Sequence, residues 1–255
     1  MAEASFSIVV LCEAAADQRT VCGIADRVLC QEVDWLEPLV LDSLRSWRGL
    51  RTNQPFLLWR DVHTLAEEAN IHTHGFFDGK PGHPDAFIAR RALALLTIGG
   101  DEPIDAVLLI RDSDKQFDRL EGLTQARDQA SGLGPIVIGV ARTMRECWVL
   151  AGFCETNEEE RSRLEALRQE LGFNPCLHAE ELTAAKEQDK RSAKRVLNAL
   201  TEGDLARQEA CWMSTPLDQL ETRGSATGLP EFIREIRERL VPLFTGRSPL
   251  DRPSR

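Results

Sequence analysis

The sequence predicts an α/β protein: a mostly parallel, four-stranded sheet flanked by helices, followed by a C-terminal extension that is all helix. Three observations predict it. Four short apolar runs read as buried strands, stretches with helical spacing alternate with them, and after about residue 155 no strand pattern returns.

Residues 6–12, FSIVVLC, form a continuous apolar run that stops at Glu13, as expected of a strand covered on both faces. Residues 17–31 then carry Val21, Ile24, Val28 and Leu29 at helical spacing, and a second apolar segment over roughly 35–50 also reads as helix. FLLWR at 56–60 reads as the second strand. NIHTHGFFDGKPGHPD at 70–85 is rich in Gly, Pro and His and reads as a long loop, with a helix after it at about 85–97. IDAVLLI at 104–110 is the third strand and runs directly into Arg111-Asp112-Ser113-Asp114. A helix over roughly 115–130 and a GLGP turn lead to the fourth strand, IVIGVA at 136–141, and then to a helix from about 144 with Glu146, Trp148 and Leu150. Segments 158–171, 191–201, 204–212 and 230–243 read as helices, and the tail GRSPLDRPSR at 246–255 is expected to be disordered. The domain reading is therefore 6–155 with an insertion at about 62–100, then a helical extension over 156–245.

With 255 residues, 42% of them hydrophobic, the chain can bury a sizeable core. No apolar run reaches 18 residues, so no membrane span is expected, and the N-terminus lacks the basic flank of a signal peptide. Seven cysteines without a CxxC pair read as small buried hydrophobes in a reducing compartment, hence a cytoplasmic protein without a zinc ribbon. A net charge of −10 argues against a free-standing nucleic-acid binder unless a local basic patch, metal ions or a partner protein supplies the attraction. The absence of Tyr excludes any reaction through a phosphotyrosine link.

In an open α/β sheet, functional groups collect at the carboxyl ends of the strands. Glu13 follows strand one, with Asp17 a helical turn later; Asp112 and Asp114 follow strand three; Glu146 lies just beyond strand four. Taken one at a time, acids at strand-to-helix junctions read as helix caps. Taken together, carboxylates drawn to one sheet edge suit a hard cation that wants oxygen ligands, Mg²⁺ or Mn²⁺.

The order strand, Glu13-x-x-x-Asp17, then strand, Asp112-Ser113-Asp114, then strand and Arg145-Glu146-Cys147-Trp148 resembles the Toprim domain. It is most similar to the small stand-alone Toprim-like proteins of prokaryotes and to the nuclease domain of the overcoming-lysogenization-defect family. The resemblance covers roughly residues 6–155, with Ala14 standing where the family usually has Gly. Asp189–Leu197 is similar in type to a basic helix that follows the core in the small proteins. The resemblance implies a metal-dependent nuclease with two ions about 4 Å apart. Glu13, Asp112 and Asp114 would surround the first ion, and Asp17 and Glu146 would help hold the second. Lys194 is the candidate for stabilising transition-state charge, set against its plainer reading as a solvated helix face.

Three further groups stand out. His72-x-His74 with His83, and His63 nearby, suit either a transition metal, substrate contact or plain loop positions. Arg90-Arg91 and the run Lys186, Lys190, Arg191, Lys194, Arg195 are the densest basic spots, readable as phosphate contacts or solvated faces. Trp148, Trp212 and the stripe Phe232, Ile233, Ile236, Leu240, Val241 read as packed core, with a partner surface as the stripe's other reading.

The leading functional expectation is a Mg²⁺- or Mn²⁺-dependent nuclease on DNA or RNA. The resemblance implies an effector of prokaryotic antiviral defence. No GxxxxGK[ST] loop occurs, so any ATPase would be a separate partner subunit. The alternatives are a non-catalytic Toprim-like interaction subunit and a small-molecule phosphoesterase. A homo-oligomer is compatible with each.

Overall fold

The computed structural model describes residues 6–100, 102–116 and 118–245, so the tail at 246–255 lies outside the described residues. Along the chain come β1 (Phe6–Cys12), α1 (Ala15–Glu32), α2 (Pro38–Leu44), β2 (Arg45–Arg48), β3 (Leu57–Leu58), α3 (Val62–Glu68), β4 (Phe76–Phe77), β5 (Lys80–Pro81), α4 (Ala86–Gly99), β6 (Ala106–Asp112), α5 (Arg119–Asp128) and β7 (Ile136–Ala141). Helices follow: α6 (Arg145–Ala151), α7 (Glu158–Leu171), α8 (Ala193–Thr201), α9 (Leu205–Ser214), α10 (Leu217–Arg223), α11 (Leu229–Glu235), a π-helical turn (Ile236–Leu240) and α12 (Val241–Thr245). The protein is α/β, with a mostly parallel sheet flanked by helices, as expected from the sequence. No described helix is long and apolar enough to cross a membrane.

The sheet has five strands where four were expected, in the order β2-β1-β6-β7, with β3 joined to β1. β2 pairs in parallel with the first half of β1 (Phe6↔Arg45 to Val9↔Arg48), and β3 with its end (Leu11↔Leu57, Cys12↔Leu58). The expected strand at 56–60 is thus shortened to two residues, and part of the helix expected over 35–50 is strand. The reason is a buried charge. Arg48 is 1% exposed, and its guanidinium donates to Ser7 Oγ and to the carbonyls of Gly49, Leu50 and Glu102. A strand built around a buried, hydrogen-bonded arginine has no apolar run to reveal it. Gly49 lets the intervening loop close, since a Cβ there would lie 2.5 Å from Phe56 O.

The loop expected at 70–85 contains a small hairpin. β4 and β5 pair antiparallel across Asp78 (φ 50°) and Gly79 (φ 80°), the two successive positive φ angles of a type I′ turn.

The described chain divides into two compact units. One holds the residues up to Ile110, Gln116–Gly139 and those from Arg234 on; the other holds Arg111–Lys115 and Val140–Ile233. The first unit is centred on the sheet: Ile8 to Cys12 of β1 and Ala106 to Leu109 of β6 are fully buried. Each large aliphatic side chain so buried contributes about 2 kcal/mol. Glu235 accepts from Arg127 at 2.7 Å and from the backbone N of Ile138 at 3.2 Å, which satisfies a donor on the sheet's edge strand. The stripe Phe232, Ile233, Ile236, Leu240 and Val241 is buried. The single helix expected there is broken by the π turn just before Pro242, which has no N–H for a regular helical bond.

The second unit is helical and is built around α6, from which Cys147 to Ala151 are fully buried. Among its polar contacts, Glu160 is 3% exposed and accepts from Arg207 Nε at 2.6 Å and from Thr156 N at 2.7 Å. The Arg207 bond, and after it the Thr156 amide and the guanidinium charge, hold the carboxyl down from 4.5 to about 2 against burial. A depressed carboxylate stabilises the fold fully above its unfolded pKa and loses that contribution as pH falls toward the folded value. Stability of this unit is therefore expected to drop by up to about 3 kcal/mol between roughly pH 5 and pH 2, and Glu160→Gln should flatten that part of the curve. Urea midpoints measured across that pH range test it.

Candidate functional site

The acids singled out by the sequence fall into both units: Glu13 and Asp17 in the first, Asp112, Asp114, Glu146 and Lys194 in the second.

β1 ends at Cys12 and Glu13 is half-buried after it. Ala14 is the N-cap of α1 and has no side-chain oxygen to offer the exposed amides of the first turn. Asp17, at N3, supplies the other half of a capping box: its Oδ2 accepts from Ala14 N, the N-cap amide, at 2.8 Å and from Glu13 N before it at 3.1 Å. Asp17 is 8% exposed, and its position is that of a helix-start acid. The neighbouring Cys12 thiol is pushed up to about 12 by burial and then by the Asp17 charge, so it stays a neutral thiol at physiological pH.

At the end of β6 the Asp112-Ser113-Asp114 turn is tied to the segment after β7. Ser113 N donates to Ala141 O at 2.8 Å, Asp114 N to Thr143 O at 3.3 Å, and Ser113 Oγ to Thr143 O at 3.4 Å. Thr143 is anchored in turn, its Oγ1 donating to Leu182 O at 2.9 Å. Asp112 Oδ1 accepts from Arg145 N at 2.8 Å, so it caps α6, whose own N-cap, Met144, offers no side-chain cap. Asp114 (φ 44°) and Lys115 (φ 68°) are both left-handed, a conformation costing non-glycine residues on the order of 1 kcal/mol each. Asp114 is exposed and Ser113 buried.

Glu146 lies in the first turn of α6 and pairs with Arg145, Nη2 to Oε1 at 2.9 Å, with both side chains largely buried. Its charge is thus balanced by a guanidinium. Arg145 was not singled out from the sequence, although its place beside Glu146 is the signal that could have found it. Lys194 is 55% exposed, and its ion pair is with Glu187 at 3.1 Å. The basic run around it is threaded with acids: Arg191 reaches Glu181 at 3.6 Å and Arg195 reaches Glu170 at 2.9 Å. Exposed pairs of this kind contribute little stability, but they do lower the local positive field.

The histidines have separate partners. His72 Nε2 faces Asn70 Oδ1 at 3.1 Å, Arg90 donates to His74 Nδ1 at 3.0 Å, and His63 meets Glu67 at 3.1 Å. No group of three or more His, Cys, Asp or Glu side chains in a metal-holding arrangement occurs among the described residues.

No family model, curated protein or solved structure matches the chain. For a divalent cation, the donor type at the end of β6 fits: Asp112 and Asp114 are hard oxygen donors. Glu146, paired with Arg145, and Asp17, bonded to two amides, fit less well.

Proposed function

We propose that this chain is a divalent-metal-dependent phosphodiester hydrolase acting on DNA or RNA, of the Toprim-like kind. The observation that carries the reading is the Asp112-Ser113-Asp114 turn: two carboxylates one residue apart, at the carboxyl end of a parallel strand, on a backbone held by bonds to Ala141 and Thr143. Two adjacent left-handed residues, Asp114 and Lys115, cost free energy that a plain connection would avoid. Asp112 and Asp114 would hold Mg²⁺ or Mn²⁺. Such an ion supplies an activated water and charge neutralisation at the phosphoryl oxygens. Asp17 and the Arg145–Glu146 pair serve as positioning groups for the starts of α1 and α6.

The rest of the reading follows from charge and motif. A chain with net charge −10 gains little from phosphate attraction by itself. A partner that delivers the nucleic acid, such as a separate ATPase subunit in a cytoplasmic antiviral defence system, fits that balance. A second reading has its own support. Asp17 and Asp112 both cap helices, as acids in a non-catalytic Toprim-like interaction subunit would.

Incubating the purified chain with single- and double-stranded DNA and RNA in Mg²⁺, Mn²⁺ or EDTA, alone and with its ATPase partner, separates the two. Metal-dependent cleavage is expected. No cleavage of any polymer under any of these conditions leaves the interaction subunit. Turnover of small phosphoesters alone points to a phosphoesterase.

A further inference from the structure

We propose that Lys115 is a further catalytic residue of the hydrolase site: its ammonium binds a non-bridging oxygen of the scissile phosphate and stabilises the charge that gathers there in the transition state. The proposal rests on the hydrolase reading and deepens it, giving Lys115 the role that the sequence suggests for Lys194.

The first observation is position. Lys115 directly follows Asp114 in the turn that ends β6, and both belong to the second unit. Consecutive Cα atoms are about 3.8 Å apart, so an ammonium on a flexible four-carbon stem starts from the same turn as both carboxylates. The bonds from Ser113 N to Ala141 O and from Asp114 N to Thr143 O fix the root of that side chain.

The second observation is available charge. Lys115 is exposed, and no hydrogen bond or ion pair holds its ammonium among the described residues. Other cations of the unit are engaged: Lys194 meets Glu187 at 3.1 Å, Arg145 meets Glu146 at 2.9 Å and Arg142 faces Glu231 at 3.9 Å. A cation held by a carboxylate gives up that partner before it can serve a phosphate, whereas Lys115 has none to lose. With a divalent ion on Asp112 and Asp114, the ion balances both carboxylates, and the Lys115 charge is left to attract the phosphate.

The third observation is backbone strain. Lys115 has φ 68°, in the left-handed region that disfavours a side chain. Asn and Asp tolerate this region, as at Asn70, Asp78 and Asp85; lysine gains nothing there. A turn selected for backbone shape alone would carry glycine, as the chain does at Gly172 after α7. Keeping lysine retains its side chain at a cost to the fold, as strained residues at functional sites do. In the hydrolytic step a water oxygen bonds to phosphorus as the bond to the leaving oxygen breaks, and one proton of the water passes to the leaving oxygen. Lys115 makes and breaks no covalent bond; it supplies charge and a hydrogen bond.

The test pairs Mn²⁺ titration calorimetry with cleavage of labelled DNA and RNA by the full chain, under the conditions used for the wild type. Lys115→Met keeps the stem and the strained backbone and removes the charge. It is expected to lower cleavage at saturating Mn²⁺ at least about 100-fold. The same variant should bind Mn²⁺ about threefold more tightly, because a neighbouring positive charge is gone. Lys115→Arg should stay within about tenfold of wild-type cleavage. Lys115→Gly should lose cleavage as the methionine variant does, with a melting midpoint no lower than that of the wild type, since its strain is relieved. Full cleavage by Lys115→Met beside an active wild type overturns the role of Lys115 and leaves the hydrolase. So does a larger loss from Lys194→Met than from Lys115→Met. Lost cleavage with weaker Mn²⁺ binding also overturns it, making Lys115 a support of the turn. A wild type that cleaves no polymer removes the hydrolase reading and the role of Lys115 with it.

Discussion

Asp112→Asn is expected to reduce metal-dependent cleavage at least about 100-fold while leaving the thermal midpoint within roughly 2 °C. One carboxylate has two roles here. Asp112 Oδ1 accepts from the first amide of α6 at 2.8 Å. Asparagine offers an equivalent oxygen and is as good a cap as aspartate. What it lacks is the negative charge and the second anionic oxygen that a hard cation needs. Asp112→Ala removes cap and charge together and should cost about 1 kcal/mol of stability as well. Cleavage assays beside melting curves on both variants separate the roles. If Asn retains full cleavage and only Ala loses it, Asp112 is a capping residue and the hydrolase reading loses its central ligand.

Trp148→Ala should be the most destabilising single truncation in the second unit, by about 3–5 kcal/mol. Trp148 is fully buried, stacks on Phe232 with ring centroids 5.1 Å apart and planes 14° off parallel, and donates from Nε1 to Thr227 O at 2.8 Å. The same carbonyl accepts from Arg142 N at 2.8 Å. One residue on, Thr143 O accepts from Asp114 N, so the tryptophan packs beneath the segment that holds the Asp112–Asp114 turn. A loss of that size is a third or more of a typical domain's stability, on the order of 10 °C in the midpoint. Trp148→Phe keeps the stacked ring and gives up only the indole bond, a cost of about 1 kcal/mol, with Thr227 O still partnered by Arg142. Urea titrations followed by circular dichroism test the order of the two; equal stability of the alanine variant and wild type would mean that the unit is not organised around this ring.

Much of the architecture is legible in short stretches of chain. β1, β6 and β7 are mostly apolar runs that are largely buried, and α7 occupies the expected 158–171 because its acidic first turn, capping Asn157 and following Gly172 all mark its ends locally. Other elements carried a local signal that composition masked: Asp78-Gly79 is a hairpin turn sequence inside what reads as a Gly- and Pro-rich loop. β2 carried none, because Arg48 is held in the interior by groups as distant in the chain as Ser7 and the Glu102 carbonyl.

The candidate site divides the same way. That Glu13, Asp112 and Asp114 follow buried strands is a property of residue order, and the chain alone determined it. Whether a given carboxylate caps a helix, pairs with a guanidinium or remains for a cation depends on what lies within about 3 Å of it. Asp17 is capped onto amides of its own turn, which local spacing allows, but Asp112 serves a helix that begins 33 residues later. The 186–195 run reads as strongly basic until Glu170, Glu181 and Glu187 are seen beside it. Electrostatic and hydrogen-bond partners are selected by distance in space, and only the tertiary structure brings them within reach.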